Sequence, residues 1–130
     1  MPAPIKVLVA NSERPMFEGL VALLADHQDL DVLGVASTAD DAVKKAQVLK
    51  PDVLLLDMHL DGADGPAACR QVRAAAPGTV VLFLTADDSS AAKDSALQAG
   101  AAEVLTTGAT TGELVSTIRR LADHEVRAAS

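Results

Sequence analysis

Residues 51–57 read Pro-Asp-Val-Leu-Leu-Leu-Asp, and positions 53–56 are apolar without a break. A strand with one wet face alternates apolar and polar residues, whereas a strand covered on both faces does not have to. The run therefore predicts a central strand of a sheet sandwiched between helices. It is too short to be read as a buried helix, and a proline stands at its start.

Working outward, similar runs lie at 5–10 (IKVLVA), 31–37 (DVLGVAS), 79–85 (TVVLFLT) and 102–107 (AEVLTT), with 52–57 as the third of five. Helical patterns fill the intervals. Pro15 sits near the start of the first, where its missing N–H costs little, and Met16, Leu20, Leu23 and Leu24 follow at helical spacing. Thr38 is placed to cap the second. Asp40 and Asp41 fall in its first turn, Lys44 and Lys45 come later as suits the helix dipole, and Ala42, Val43, Ala46 and Leu49 form its inner stripe. The third begins near Pro66, carries Cys69 and Val72, and is stopped by Pro77-Gly78. The fourth runs from about Ser89 to Ala99, with Asp87-Asp88 as its cap and Gly100 as its C′ residue. The fifth carries Leu114, Ile118, Leu121 and Val126.

Such alternation, with short connections, argues for an open parallel α/β sheet with right-handed crossovers. Ligands of such sheets bind outside the carboxyl ends of the strands. The positions to examine are therefore Asn11-Ser12, Asp57, Thr85 and Thr106-Thr107.

Composition narrows the function. The 130 residues suffice for one domain, and 49% hydrophobic content supports a core. A net charge of −7 without a basic cluster argues against direct contact with nucleic acid or an anionic membrane. Cys69 is the sole cysteine, so no internal disulfide forms, in keeping with a reducing, cytoplasmic setting. No apolar run is long enough to span a bilayer, and MPAP has no signal-peptide character. The three His and one Cys lack metal-ligand spacing. The absence of Trp and Tyr weakens any case for stacking flat ligands such as flavins.

Leu54-Leu55-Leu56-Asp57-Met58-His59-Leu60, followed by Gly62-Ala63-Asp64-Gly65, resembles the phosphoacceptor loop of a response-regulator receiver domain. Pro51-Asp52-Val53, Leu84-Thr85-Ala86 and Ala99-Gly100-Ala101 fit the same family in order and spacing. Phe17-Glu18-Gly19-Leu20 and Ala75-Ala76-Pro77-Gly78-Thr79 resemble the NarL/FixJ-type subgroup. The resemblance implies a flavodoxin-like (CheY-like), doubly wound sheet of strand order 2-1-3-4-5 with five helices. It implies a receiver over residues 1–122, with 123–130 ending the last helix or starting a linker. A stop at that point reads as a receiver cut from an output domain, with a standalone receiver as the other reading. It also places Asp57 at the phosphoacceptor position, Thr85 at the hydroxyl switch position and the His59 carbonyl at a main-chain metal ligand position.

The departures fall on the charged parts. The family's acidic pair, which holds Mg²⁺, is here Asn11 and Ser12; its lysine is Thr107; its aromatic switch residue is Val104; and a common proline is Asp61. Phosphoryl transfer needs positioning and charge neutralisation above all, and Mg²⁺ favours carboxylates. Two lost charges, each worth ~4 kcal/mol near contact in a surface-like dielectric, predict weak or absent Mg²⁺ binding and no bound cofactor. Three carboxylates without a metal would repel one another, so the neutral pair suits a pocket without a metal.

The expected function is thus an atypical, non-enzymatic receiver, regulating a transcriptional output independently of Mg²⁺-assisted phosphorylation. Its expected partners are a second copy of itself, an output DNA-binding domain, and a histidine kinase or small-molecule effector. Two alternatives stand beside it: a phosphoacceptor using Asp57 with a weakened metal site, and a small-molecule sensor. Plainer readings make Asp57 a loop or cap residue, Asn11 and Ser12 turn or cap residues, and the threonines at 106, 107, 110 and 111 a loop and N-cap. His59 then lies on an exposed loop, and Cys69 is a packing residue.

Overall fold

The computed structural model describes residues 4–11, 14–57, 59–60, 63–85, 89–106 and 110–129. Strands β1 (Ile5–Ala10), β2 (Leu30–Ala36), β3 (Val53–Asp57), β4 (Val80–Thr85) and β5 (Glu103–Thr106) alternate with helices α1 (Arg14–Ala25), α2 (Ala39–Leu49), α3 (Gly65–Ala75), α4 (Ser90–Gln98) and α5 (Thr111–Ala129). All strand pairs in the five-stranded sheet are parallel, and the order is β2-β1-β3-β4-β5. This is the CheY-like topology that the resemblance implies. A short antiparallel ribbon, His59–Leu60 against Ala63–Asp64, follows β3. The sequence predicted only a loop there.

The alternation of side chains along each strand splits the core into two layers. Leu8, Ala10, Leu54, Leu56, Val81 and Phe83 pack with Ala42 and Ala46 of α2, Ala68, Cys69 and Val72 of α3, and Ala96 of α4. Val7, Val9, Val53, Leu55, Val80 and Leu82 pack with Leu24 of α1 and with Leu114, Val115, Ile118, Leu121 and Ala122 of α5. The central strands are buried from both sides, which is why the run at 53–56 needs no polar residue.

Helix ends follow local chemistry. Thr38 Oγ1 accepts from the Asp41 N–H at 3.1 Å and caps α2. Thr110 Oγ1 accepts from the Glu113 N–H at 3.1 Å and caps the start of α5, and its hydroxyl donates to Glu113 Oε1 at 3.3 Å. Gly100 takes φ 107° just after α4. The exposed Arg119 grips Asp29 through two bonds of 2.7 and 3.0 Å, tying α5 to the turn before β2. Its hydrogen bond holds the Asp29 carboxyl below its ordinary pKa of 3.8. Arg120 reaches Glu103 of β5 at 2.5 Å.

Several local expectations need correction. The cap of α4 is Ser89, which accepts from the Ala92 N–H at 3.2 Å, rather than the acidic pair before it. Leu23 and Leu49 are 39% and 36% exposed, at the rim of their helices' apolar stripes. Lys44 and Lys45 lie mid-helix, ahead of the last turn, so the dipole does not explain them. The last residues belong to α5 through Ala129. Val126 falls within that helix, but its side chain lies outside the described residues.

Candidate functional site at the carboxyl ends of the strands

Asn11 follows β1 and is 6% exposed. Its N–H donates to the Ala36 carbonyl at 2.9 Å, so the β1–β2 ladder extends through it. Ala10 is in register with Leu56, which sets Asn11 beside Asp57, the half-buried last residue of β3. Asp57 is in register with Leu84 of β4. Thr85, buried at the end of β4, pairs in register with Thr106 of β5. Three strand ends thus bring Asn11, Asp57 and Thr85 to one rim of the sheet. Asp57 continues the row of Val53 and Leu55, while Thr85 continues the row of Val81 and Phe83. The two residues come to the rim from opposite faces.

Val104 is half-buried, in register with Phe83, and packs against the α2–α3–α4 layer. A β-branched side chain suits that pleated, half-covered position. His59 has its backbone in the ribbon, opposite Asp64. Ser12 and Thr107 lie outside the described residues, as do Asp61, Asp87 and Asp88.

Asp57, Asn11 and Thr85 supply one carboxylate, one amide and one hydroxyl at the rim, with Thr106 beside Thr85. Among the described residues, no group of three or more His, Cys, Asp or Glu is placed to hold a metal ion. Of Asn11, Asp57 and Thr85, Asp57 alone is a carboxylate, the ligand type on which a hard divalent cation draws. Cys69 is buried in the α3 layer, and burial pushes its thiol up to about 11, which suits packing rather than reactivity.

A concavity lies at the opposite end of the sheet, away from the strand ends where ligands of such sheets bind. A cleft of about 410 Å³ opens at the amino ends of β3 and β4, lined by Lys50, Pro51, Asp52, Ala76, Pro77 and Thr79 among others. Its wall is stitched by the Thr79 hydroxyl, which donates to the Pro51 carbonyl at 2.8 Å, and by Arg73, which donates to the Pro77 and Thr79 carbonyls. The signals in the sequence are the two prolines and Gly78. Lys50, in the left-handed region at φ 50°, gives no such signal.

Comparison with known proteins agrees with the topology. Residues 7–119 match the response regulator receiver domain. Over 115 residues the chain is 37% identical to response regulator GacA of Pseudomonas syringae pv. syringae, covering 88% of this chain and 54% of that protein. It is 36% identical over 111 residues to protein-glutamate methylesterase/protein-glutamine glutaminase 2 of Anaeromyxobacter dehalogenans, covering 85% of this chain and 32% of that one. The signal receiver domain of NarL from Mycobacterium tuberculosis superposes with a TM-score of 0.87 at 34% identity, covering 94% of this chain and 98% of that domain. The chain therefore spans about half the length of GacA, or less of the other full-length relative. With its family match, its parallel 2-1-3-4-5 sheet and its acidic residue at the end of the third strand, the chain belongs to the response regulator receiver domain family, the signal-receiving module of two-component systems.

Proposed function

We propose that this receiver passes its signal through protein contacts, without Mg²⁺-assisted phosphorylation of Asp57. The observation that carries the reading is Asn11, a buried amide set in register beside Asp57 where the family places a metal-binding acid. Ser12 and Thr107 add to it from the sequence, since they replace a second acid and a lysine. A phosphoaspartate adds roughly −1 to −2 charge, and in this reading neither a metal nor the family's lysine meets it. The Thr85 hydroxyl offers one neutral hydrogen bond, weaker than a charge-assisted one.

In this reading the output lies outside the receiver. The relatives bear different names, a response regulator and a protein-glutamate methylesterase, although each shares the receiver. The NarL/FixJ-type residues of the first helix favour a DNA-binding, transcription-controlling output in a cytoplasmic regulator. The receiver would set the access or pairing of that output, acting with a second copy of itself and in response to a partner kinase or a small effector. The acidic charge of −7 leaves DNA contact to the output part.

A second reading, a phosphoacceptor with a weakened metal site, is favoured by the retention of Asp57 and Thr85 at adjacent strand ends. The test is intact mass after incubation with acetyl phosphate and excess Mg²⁺, beside Asp57→Ala and the triple variant N11D/S12D/T107K. No adduct on the natural chain, with an adduct on the triple variant, is the expected result. Stoichiometric modification of Asp57 in the natural chain would establish the second reading.

A further inference from the structure

Among the described residues the sheet has an open edge at β2, which pairs only with β1. A free edge is a template on which another chain can add a strand. This one is nearly uncharged, Leu30-Asp31-Val32-Leu33-Gly34-Val35-Ala36, with Asp31 alone bearing a charge. An extended second copy of the same segment would match it in length and character.

The edge is interrupted along its length. Asp31 is exposed near the start. In the middle the register slips, with Val7 opposite Val32 but Leu8 opposite Gly34, so Leu33 is an extra, unpaired residue. Toward the end the ladder is regular again. The Ala36 carbonyl accepts from Asn11 on the inner side. One residue earlier, the Val35 carbonyl therefore faces the open side. It accepts a 2.6 Å hydrogen bond from Lys45 Nζ, reaching round from α2. Asp41, one turn back, holds the same ammonium at 3.0 Å.

We propose that Lys45 is an edge guard. It occupies the regular stretch of the open edge that follows the bulge and blocks antiparallel β2–β2 pairing with a second copy of the chain. The bulge and Asp31 break the remainder of the edge, and the Asp41 pair keeps the lysine in place. This assignment is independent of how Asp57 signals.

Sedimentation equilibrium of the natural chain and of Lys45→Met tests it, with folding checked by circular dichroism. K45M keeps the length of the side chain and loses the ammonium. It is expected to self-associate at least tenfold more tightly than the natural chain, whereas K45R and the exposed neighbour K44M do not. Adding Val35→Pro removes an outward N–H without touching the β1 ladder, so K45M/V35P is expected to return to natural behaviour. A folded K45M with unchanged self-association overturns the proposal. So does a K45M/V35P that associates as tightly as K45M, because the contact then lies elsewhere. K45Q is the second neutral variant if K45M fails to fold. If both neutral variants are unfolded, Lys45 holds the fold rather than guards the edge, and the proposal also fails.

Discussion

Asn11→Asp tests the electrostatics of the strand-end rim directly. The register sets position 11 beside Asp57 on the adjacent strand, and adjacent strands lie ~4.8 Å apart. At an effective dielectric of 20, two like charges ~5 Å apart repel by ~3 kcal/mol. Position 11 is 6% exposed, so desolvation acts in the same direction. The introduced carboxyl then has a folded-state pKa about 2 units above its unfolded value of ~3.9. The folded state holds that proton more tightly than the unfolded chain does. The penalty is therefore absent below ~3.9, grows as pH rises, and is complete above about 6. Urea unfolding followed by far-UV circular dichroism, with EDTA present, should show N11D close to the natural chain at pH 4 and about 2–3 kcal/mol less stable at pH 8. Adding Ser12→Asp and millimolar Mg²⁺ should recover part of the loss. Equal stability at pH 8, or the same loss at every pH, would refute the charge argument.

Thr79→Val should cost about 1–3 kcal/mol in the same urea assay, because it leaves the Pro51 carbonyl without its hydroxyl donor in a site only 1% exposed; Thr79→Ser should largely restore stability. Gly100→Ala should destabilise by about 1–2 kcal/mol or more, since φ is 107° and the new Cβ would lie 3.2 Å from Arg73 Cγ. Cys69 should react with a disulfide reagent far more slowly than a free thiol until urea unfolds the chain, as its burial and pKa of about 11 dictate. Asp29→Asn should be less stable than the natural chain at pH 7. Because the Asp29 pKa is lowered in the folded state, that gap should close as pH falls from 3.8 through the folded value.

Much of this was legible in the sequence because it depends on local pattern. The apolar run at 53–56, the Thr38 cap and the left-handed Gly100 each need only their neighbours in the chain. Asn11, Asp57 and Thr85 were legible as a group because parallel sheets collect strand ends at one rim. What remained hidden depends on competition or distance. Asp87 and Asp88 read as caps, yet Ser89 sits one position before α4 and takes the role. Leu49 and Leu23 share the spacing of their neighbours, and only the approach of other helices decides that they lie at the margin. The partner of Lys45 could not be read, since nothing in Val35 reveals that β2 lies at an edge.

The two layers that cover the sheet differ in grain. One is floored by alanines and a cysteine, with Ala42, Ala46, Ala68, Cys69 and Ala96 set against Phe83 and the leucines of the central strands. The other is filled by Leu24, Leu114, Ile118 and Leu121. Where the floor is alanine, an added methylene has no room, and overpacking costs about 1–3 kcal/mol. Where it is leucine or isoleucine, truncation is the greater damage, at about 2–5 kcal/mol. Opposite faces of one sheet thus impose opposite tolerances: added bulk is the costlier change around α2, α3 and α4, and truncation is the costlier one around α1 and α5.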